Sequence, residues 1–164
     1  MPLTVETGTG NTGANSYVSV SDFNSRNSLR GAQLTGDNGT AEQVLLIAMD
    51  YIESLDYIGY KKTQEQALQW PRTDVYIDGY AFSDSAIPMS LVNAQCEVAL
   101  AIDAGNSPIA DVGRETKREK VGDIEVEYMD TAKADVVRRS VDVHLKKLLE
   151  RTTSGVGTVQ LVRV

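Results

Sequence analysis

The stretch WPRTDVYIDGYAFSDSAIP, residues 70–88, decides how the rest of the chain can fold. It holds the only tryptophan, two of the seven tyrosines and two of the four prolines of a 164-residue chain. The Asp78-Gly79 pair is typical of a type I′ hairpin turn, and Trp70, Ile77 and Phe82 are expected to cover one end of a helical core. We interpret the stretch as a self-structured loop, and its structural residues are Trp70, Pro71, Arg72, Tyr76, Asp78, Gly79 and Tyr80.

Helical periodicity precedes this loop. A short helix is expected from about Ser21, and residues 40–55 place apolar side chains at helical spacing. Thr40 and Gln43 form a capping box that predicts the start of this long helix. The same pairing at Thr63 and Gln66 predicts a short helix that ends before Pro71, because a proline disfavours helical backbone in the preceding residue.

Two further helices are predicted after the loop. Pro88 and Gly105 bracket a segment that is apolar on most of its circumference, so we expect it to be the central, most buried helix. Residues 133–150 carry one apolar stripe and end in cations, as a last helix should. The sequence therefore predicts a mainly α fold: a small helix bundle with an inserted β-hairpin and an extended C-terminal strand or tail.

The inserted hairpin is predicted at residues 114–130, where the pattern changes to that of strands. A two-residue turn at Gly122-Asp123 pairs Val121 with Ile124, Glu119 with Val126, Lys120 with Glu125, Arg118 with Glu127, and Lys117 with Tyr128. Basic residues that resemble a nucleic-acid patch then face opposite charges on the hairpin, where such pairs stabilise strands. Residues 1–151 make one domain that opens with an extended arm at 1–16, and residues 152–164 form a flexible tail.

The charge distribution argues against nucleic-acid binding. The net charge is −7, and residues 1–113 carry 5 Lys and Arg against 14 Asp and Glu, a balance of −9. Phosphate backbones are bound by clustered cations, which this chain lacks in bulk. The longest unbroken apolar run, residues 44–49, is also far too short for a membrane span, and the first ten residues lack a secretion signal.

Motifs for catalysis or cofactor binding are weak. Gly8, Gly10 and Gly13 spell G-x-G-x-x-G, but the dinucleotide site needs a buried strand before them and a helix opening at them. A plain glycine-rich arm is the preferred interpretation. His144 and Cys96 are each the only residue of their type, so metal-ligand spacing is lacking and a surface or core role for His144 is preferred. We expect no enzyme activity, no cofactor and no metal.

Three segments resemble one known family. GTGNTGANSYVSVSD at residues 8–22, ALQWPRTDVYIDGYAFSDSAIPMSLVNAQCEVAL at 67–100 and KREKVGDIEVEY at 117–128 are similar to head-tail connector or adaptor proteins of tailed phages, often labelled DnaT-like single-stranded DNA-binding proteins. The resemblance implies a mainly helical domain that forms a ring on the portal protein in the virion neck. The expected ring has twelve copies. The genome would pass through the lumen of the ring towards tail or nozzle proteins without being bound specifically. The protein would be made in the host cytoplasm.

Three functions remain after this comparison: the structural connector, which we prefer, a single-stranded DNA-binding module, and an enzyme of unrecognised type. The tail favours the connector function, because both of its faces would be largely apolar in an extended strand. We expect it to dock by strand addition on the portal or a neighbouring subunit, while pairing with its own hairpin or arm is the alternative. Its expected partner-binding residues are Val159, Gln160, Leu161, Val162, Arg163 and Val164.

Overall fold

The fold was obtained as a computed structural model, which describes residues 3–106, 118–121, 124–127 and 141–150. Its helices are α1 (Val20–Asn27), a 3₁₀ turn (Ser28–Arg30), α2 (Asn38–Glu53) and α3 (Met89–Asp103). Its strands are β1 (Tyr60–Lys61), β2 (Arg72–Thr73), β3 (Tyr76–Ile77), β4 (Tyr80–Ala81), β5 (Arg118–Val121) and β6 (Ile124–Glu127). They pair as three two-stranded antiparallel sheets, β1 with β2, β3 with β4, and β5 with β6.

The expectation of a mainly α helix bundle is wrong, because the described fold is a small mixed α/β structure. Two hairpin-like sheets, β1–β2 and β3–β4, occupy the connection between α2 and α3, where the sequence predicted a helix followed by one tight turn. In addition, Tyr57 and Leu149 form an isolated antiparallel bridge. Extended backbone therefore packs beside the helix pair and supplies part of the core, which helical periodicity alone could not reveal.

The core lies between α2 and α3 and is closed by residues from distant parts of the chain. Gln95 of α3 is fully buried there, and its side-chain Oε1 accepts the backbone N–H of Tyr17 at 3.0 Å. Its Nε2 donates to Ser16 Oγ at 2.8 Å and to the Leu45 carbonyl at 3.2 Å. A buried amide is stable only when its hydrogen bonds are made, so Gln95 holds the arm and α2 to α3.

The two capping boxes are wrong as helix starts. Helix α2 begins at Asn38, and its cap is Asp37, whose Oδ1 accepts the Thr40 N–H at 2.8 Å. Aspartate is a stronger N-cap than threonine, and the weak helix formers Asn38 and Gly39 concealed the first turn.

The second box closes a loop and starts no helix. Thr63 N–H donates to Gln66 Oε1 at 3.0 Å, as a capping box requires, but residues 63–69 are not helical. The Gln66 Nε2 donates instead to the carbonyls of Leu68 and Pro71, at 2.8 and 3.0 Å. The buried amide thereby satisfies backbone groups that a helix would otherwise have paired.

Several other predictions are confirmed. Helix α3 starts after Pro88 and ends before Gly105, which has a φ of +83°. Residues Asp78 and Gly79 have φ values of +54° and +86°, as the turn between β3 and β4 requires. The β5–β6 register agrees at all four described pairs, from Arg118↔Glu127 to Val121↔Ile124, whereas the predicted Lys117 to Tyr128 pair lies outside the described residues.

The last predicted helix is shorter at its end than expected. Residues 141–145 are helical, and the chain then turns so that Ile58 N–H donates to the Leu148 carbonyl and Glu150 N–H to the Asp56 carbonyl. The side chains of Leu145 and Leu148 remain buried. Residues 133–140 of this predicted helix and the predicted tail at 152–164 lie outside the described residues. Within the described helices, none combines the length and apolar character needed to cross a bilayer.

Candidate functional site

The glycine-rich arm folds around the carboxylate of Glu6. Glu6 Oε1 accepts the backbone N–H groups of Gly8, Thr9 and Gly10 at 2.7, 2.7 and 3.1 Å, and Oε2 accepts that of Asn11 at 2.6 Å. Successive backbone donors of this kind make the concave nests that bind phosphate in other proteins. Here the nest, which we call the Glu6 nest, is filled by the chain's own side chain.

The Glu6 nest holds a charged group. Burial of the Glu6 carboxyl opposes its ionisation, but the backbone hydrogen bonds from Asn11, Gly8, Gly10 and Thr9 outweigh this and keep its pKa below the ordinary 4.5. Only 2% of Glu6 is exposed. An external phosphate would therefore have to displace an ionised, hydrogen-bonded carboxylate from the interior of the arm.

The arm is also pressed against the end of the aromatic loop, residues 70–88. Gly8 has a φ of +102°, and a Cβ added there would lie 2.2 Å from the Ser85 carbonyl oxygen. A non-bonded carbon and oxygen cannot lie so close together. Glycine is therefore required at position 8 by the close approach of Ser85 as well as by the positive φ. The G-x-G-x-x-G pattern thus packs one loop on another.

Trp70 is the centre of the aromatic loop and is completely buried. Its ring meets Tyr57 and Phe82 edge-on, with centroid distances of 6.1 and 6.0 Å. Its backbone N–H donates to Tyr17 Oη at 3.1 Å, while its indole Nε1 has no acceptor among the described residues. The peptide bond from Trp70 to Pro71 is cis. The tryptophan therefore serves the core and is not a surface stacking platform.

A polar network lies beside this tryptophan. Tyr17 Oη donates to Glu53 Oε1 at 2.6 Å, and the Gln69 backbone N–H donates to Glu53 Oε2 at 2.7 Å. Burial raises the pKa of Glu53 above its ordinary 4.5, and these hydrogen bonds only partly offset the effect. Burial and the neighbouring Glu53 charge also raise the pKa of Tyr17, so the proton between them stays on the phenol.

Arg72, a candidate phosphate ligand by residue type, is buried and bound to backbone carbonyls. Its Nε donates to the Ile58 carbonyl at 2.8 Å, and its Nη2 donates to those of Tyr57 and Gly59 at 3.0 and 2.6 Å. Its Nη1 donates to Gln69 Oε1 at 2.8 Å. The guanidinium organises the start of the loop and is unavailable to an external anion.

A pocket of about 710 Å³ lies where the β3–β4 turn meets the C-terminal described segment. We call it the hairpin pocket, and it is lined by Ile58, Asp78, Lys146, Lys147 and Leu149. Lys147 Nζ contacts both carboxylate oxygens of Asp78, at 2.9 and 2.8 Å, and both side chains are well exposed. The pocket thus combines apolar walls with a cationic rim.

The structure divides the predicted loop residues into two groups. Trp70, Pro71 and Arg72 are buried, and the tip residues Tyr76, Asp78, Gly79 and Tyr80 are exposed. The exposed fractions of Tyr76 and Tyr80 are 65% and 79%. The six predicted partner-binding residues, Val159 to Val164, lie outside the described residues, so their role stays a prediction.

Sequence reasoning missed three features of this site: the filling of the nest by Glu6, the half-buried Glu53, and the two lysines of the hairpin pocket. A glutamate two residues before a G-x-G is a usable signal for the first, since its carboxylate can reach the following amides. In residues 3–106 and 141–150, no cluster of three or more His, Cys, Asp or Glu side chains could hold a metal ion. His144 is half-buried on the last described helix.

Comparison with known proteins identifies the family. A family model described as "Putative DnaT-like ssDNA binding protein" matches residues 1–164, so the chain belongs to this family. Neither the curated proteins nor the solved structures contain a match to it. The family description names single-stranded DNA binding and does not mention a connector.

Proposed function

We propose that this member of the DnaT-like family is a structural connector in the neck of a tailed phage, forming a ring on the portal through which the genome passes. The resemblance noted above supports this, and the residues that carry it serve the fold. Tyr17 of the first segment bonds Trp70 and Gln95 of the second through its hydroxyl and its backbone N–H. Ala67 N–H also donates to the Asn11 carbonyl at 3.2 Å. These segments thus interlock into a scaffold.

The observation that carries the proposal is that three groups suited to holding a phosphate have partners within the chain. Ionised Glu6 fills the glycine nest, Arg72 is bound to carbonyls, and Lys147 is paired with Asp78. The chain also carries a net charge of −7. A DNA conduit works better when its wall repels phosphates, because retained contacts would slow passage of the genome.

The partners of such a connector would be the portal protein, neighbouring copies of the chain, and tail or nozzle proteins. The connector has no reaction to catalyse, and its place would be the virion neck. The segment 152–164 is proposed as its attachment element, because an extended strand with two apolar faces gains stability by adding to a sheet edge or groove of another chain.

Single-stranded DNA binding is the second candidate, and the family description supports it more directly than it supports the connector. Exposed aromatics beside cations are the usual elements of such sites, and exposed Tyr76 and Tyr80 flank Asp78, which lines a pocket together with Lys146 and Lys147. However, Tyr76 pairs with Ala81, whereas Tyr80 pairs with Ile77. Adjacent cross-strand pairs face opposite sides of a hairpin, so the two tyrosines do not form one continuous stacking surface.

The first experiment mixes the purified full chain with portal rings and examines the pelleted fraction by electron microscopy. The connector function predicts rings of density on the portal, and removal of residues 152–164 should abolish them while leaving the circular dichroism spectrum and melting temperature unchanged. Absence of wild-type protein from the portals contradicts the connector. Normal decoration by the shortened chain shows that attachment lies elsewhere.

The second experiment measures fluorescence anisotropy of a labelled oligonucleotide at physiological salt. The connector predicts weak binding or none, with a Kd above roughly 100 µM, the weak end of the range of about 1–100 µM for non-specific binding. Sub-micromolar binding that weakens steeply with added salt would establish the second candidate. A Lys146→Ala, Lys147→Ala double variant then locates the site, since it should lower the salt dependence by about two counterions.

A further inference from the structure

Exposed apolar side chains flank the residues of the hairpin pocket along the chain. In the described part of the chain, seven large hydrophobic side chains are exposed, and four of them lie within three residues of a pocket-lining residue. These four are Tyr60, Tyr76, Tyr80 and Val143. Apolar pocket walls, with exposed apolar residues next to them in the chain and charged residues at the rim, mark a surface that another protein can cover.

The chemistry of the pocket specifies what would fit it. Ile58 and Leu149 provide apolar walls, and both are partly buried against the core. Lys147 is paired with Asp78, but Lys146 has no acidic partner among the residues that the structure describes. The complementary group is therefore an aliphatic side chain with a carboxylate beside it, which would fill the walls and neutralise Lys146.

Among the residues that the structure describes, the three remaining exposed hydrophobic side chains include one such group. These are Leu29, Ile47 and Met89. Leu29 precedes Arg30, and the sulfur of Met89 accepts a contact from Arg26 Nη1, so both have a cation beside them.

Ile47 has the opposite neighbour. It lies on α2 and is 44% exposed, and Asp50 follows three residues later. Residues three apart on a helix share a face, and exposed Asp50 has no hydrogen-bond or ionic partner within the described residues. Its face of α2 is thus aliphatic and acidic, which complements the aliphatic and basic hairpin pocket.

We propose that the hairpin pocket of one copy receives Ile47 and Asp50 of α2 from a second copy, with Asp50 pairing to Lys146. The two surfaces are different, so the contact is head-to-tail and leaves one pocket and one α2 face free at the ends of each pair. Repetition of such a contact builds a ring when the rotation closes and a filament when it does not. The inference refines the neighbour contact of the proposed connector and rests on that function.

A charge-swap series in the full chain tests this contact by sedimentation velocity. The measurement is made at about 0.15 M salt, where the Debye length is about 8 Å. Salt then screens the long-range repulsion between two negatively charged copies more strongly than the attraction within the direct ion pair. Lys146→Glu and Asp50→Lys should each weaken self-association roughly tenfold, because each places like charges together. The double variant restores opposite charges at every contact and the original net charge, so its association constant should return to within about threefold of wild type.

Glu65→Lys is the matched control, since Glu65 is exposed and its reversal changes the net charge as Asp50→Lys does. It should leave association unchanged or slightly stronger. A wild-type chain that stays monomeric at about 1 mM overturns the inference, as do single variants that associate normally or a double variant that fails to recover. If both single variants decorate portals normally, this contact is rejected but the connector function is not. If the wild-type chain itself does not bind portals, the connector function is rejected.

Discussion

The arm at residues 3–16 and the aromatic loop at 70–88 are both non-helical, and both contain residue types that bind ligands in other proteins. The arm is organised by backbone donors that converge on Glu6, and the loop by the burial of Trp70 among aromatic rings. In each case the ligand is part of the same chain. A set of convergent donors or aromatics therefore indicates that something is bound there, and only the fold shows whether that group is internal.

Two glutamates, Glu6 in the arm and Glu53 of α2 beside the loop, have pKa values that are shifted in opposite directions. Glu6 has its pKa lowered because four backbone donors outweigh its burial, whereas burial prevails at Glu53 and raises its pKa. The four backbone hydrogen bonds at Glu6 exceed the cost of burying the ionised form, and the two hydrogen bonds at Glu53 do not. The ionised form of Glu6 thus stabilises the arm, whereas burial beside the loop favours the neutral form of Glu53.

Truncation of the loop's central residue should have the largest effect. Trp70→Ala is expected to lower the free energy of unfolding by roughly 3–5 kcal/mol, as removal of large buried aromatics does. Trp70→Phe should lower it much less, because the indole N–H that is lost has no acceptor among the described residues. Urea unfolding followed by circular dichroism measures both. Equal losses for the two variants would contradict this prediction, because the phenyl ring would then restore none of the lost packing.

Neutralising the arm's carboxylate should have the next largest effect. Glu6→Gln leaves the shape nearly unchanged but replaces charge-assisted acceptors, and we expect a loss of about 1.5–3 kcal/mol. The comparison variant is Glu65→Gln, which removes the same charge from an exposed position and should be almost neutral. If Glu6→Gln melts like wild type, the nest does not organise the arm.

The two glutamates should respond to pH in opposite directions. The advantage of wild type over Glu6→Gln is present above the unfolded-state pKa near 4.5 and is lost as the pH falls through the lowered folded-state pKa. The advantage over Glu53→Gln is greatest below pH 4.5 and declines as the pH rises through the raised pKa of Glu53. Urea unfolding of the three proteins from pH 3 to 8 measures these differences. If the free energy of unfolding of both variants changes with pH in the same way, the predicted opposite pH dependence of the two glutamates is wrong.

The smallest effect is expected at the exposed tip. Asp78→Asn keeps a residue that tolerates positive φ but removes the charge paired with Lys147, so unfolding should become easier by about 0.2–1 kcal/mol. A double-mutant cycle with Lys147→Ala isolates the ion pair from changes in the turn. A coupling energy well above 1 kcal/mol would mean that the tip is held more firmly than an exposed pair allows.

Local patterns were enough to predict α3, the Asp78-Gly79 turn and the described β5–β6 register, because each depends on residues close together in sequence. The mixed fold class could not be predicted in this way. The bridge between Tyr57 and Leu149, for example, joins segments about ninety residues apart, and neither has a strand pattern of its own. The box at Thr63 and Gln66 failed for a similar reason, since the amide found carbonyl partners in the loop.

The candidate site was predictable only in part. The sequence placed Trp70 and the hairpin tip together, and the tip residues are exposed as a contact surface requires. The lysines of the hairpin pocket were assigned to the end of a helix, because nothing local indicates that the chain turns back to Asp78. The role of Glu6 was hidden because a glycine pattern describes the cradle and leaves its occupant unspecified.

The late position of Leu145 and Leu148 in the chain has a consequence for biosynthesis. Both are fully buried in the same core as α2 and α3, and the carbonyl of Leu148 accepts the N–H of Ile58. During translation at about 5–20 residues per second, α2 and α3 leave the ribosome seconds before these leucines do. The growing chain therefore exposes an unfinished core to solvent for that interval, before the pocket that depends on Lys146 and Leu149 exists. A chaperone that recognises apolar surface would bind the chain at this stage.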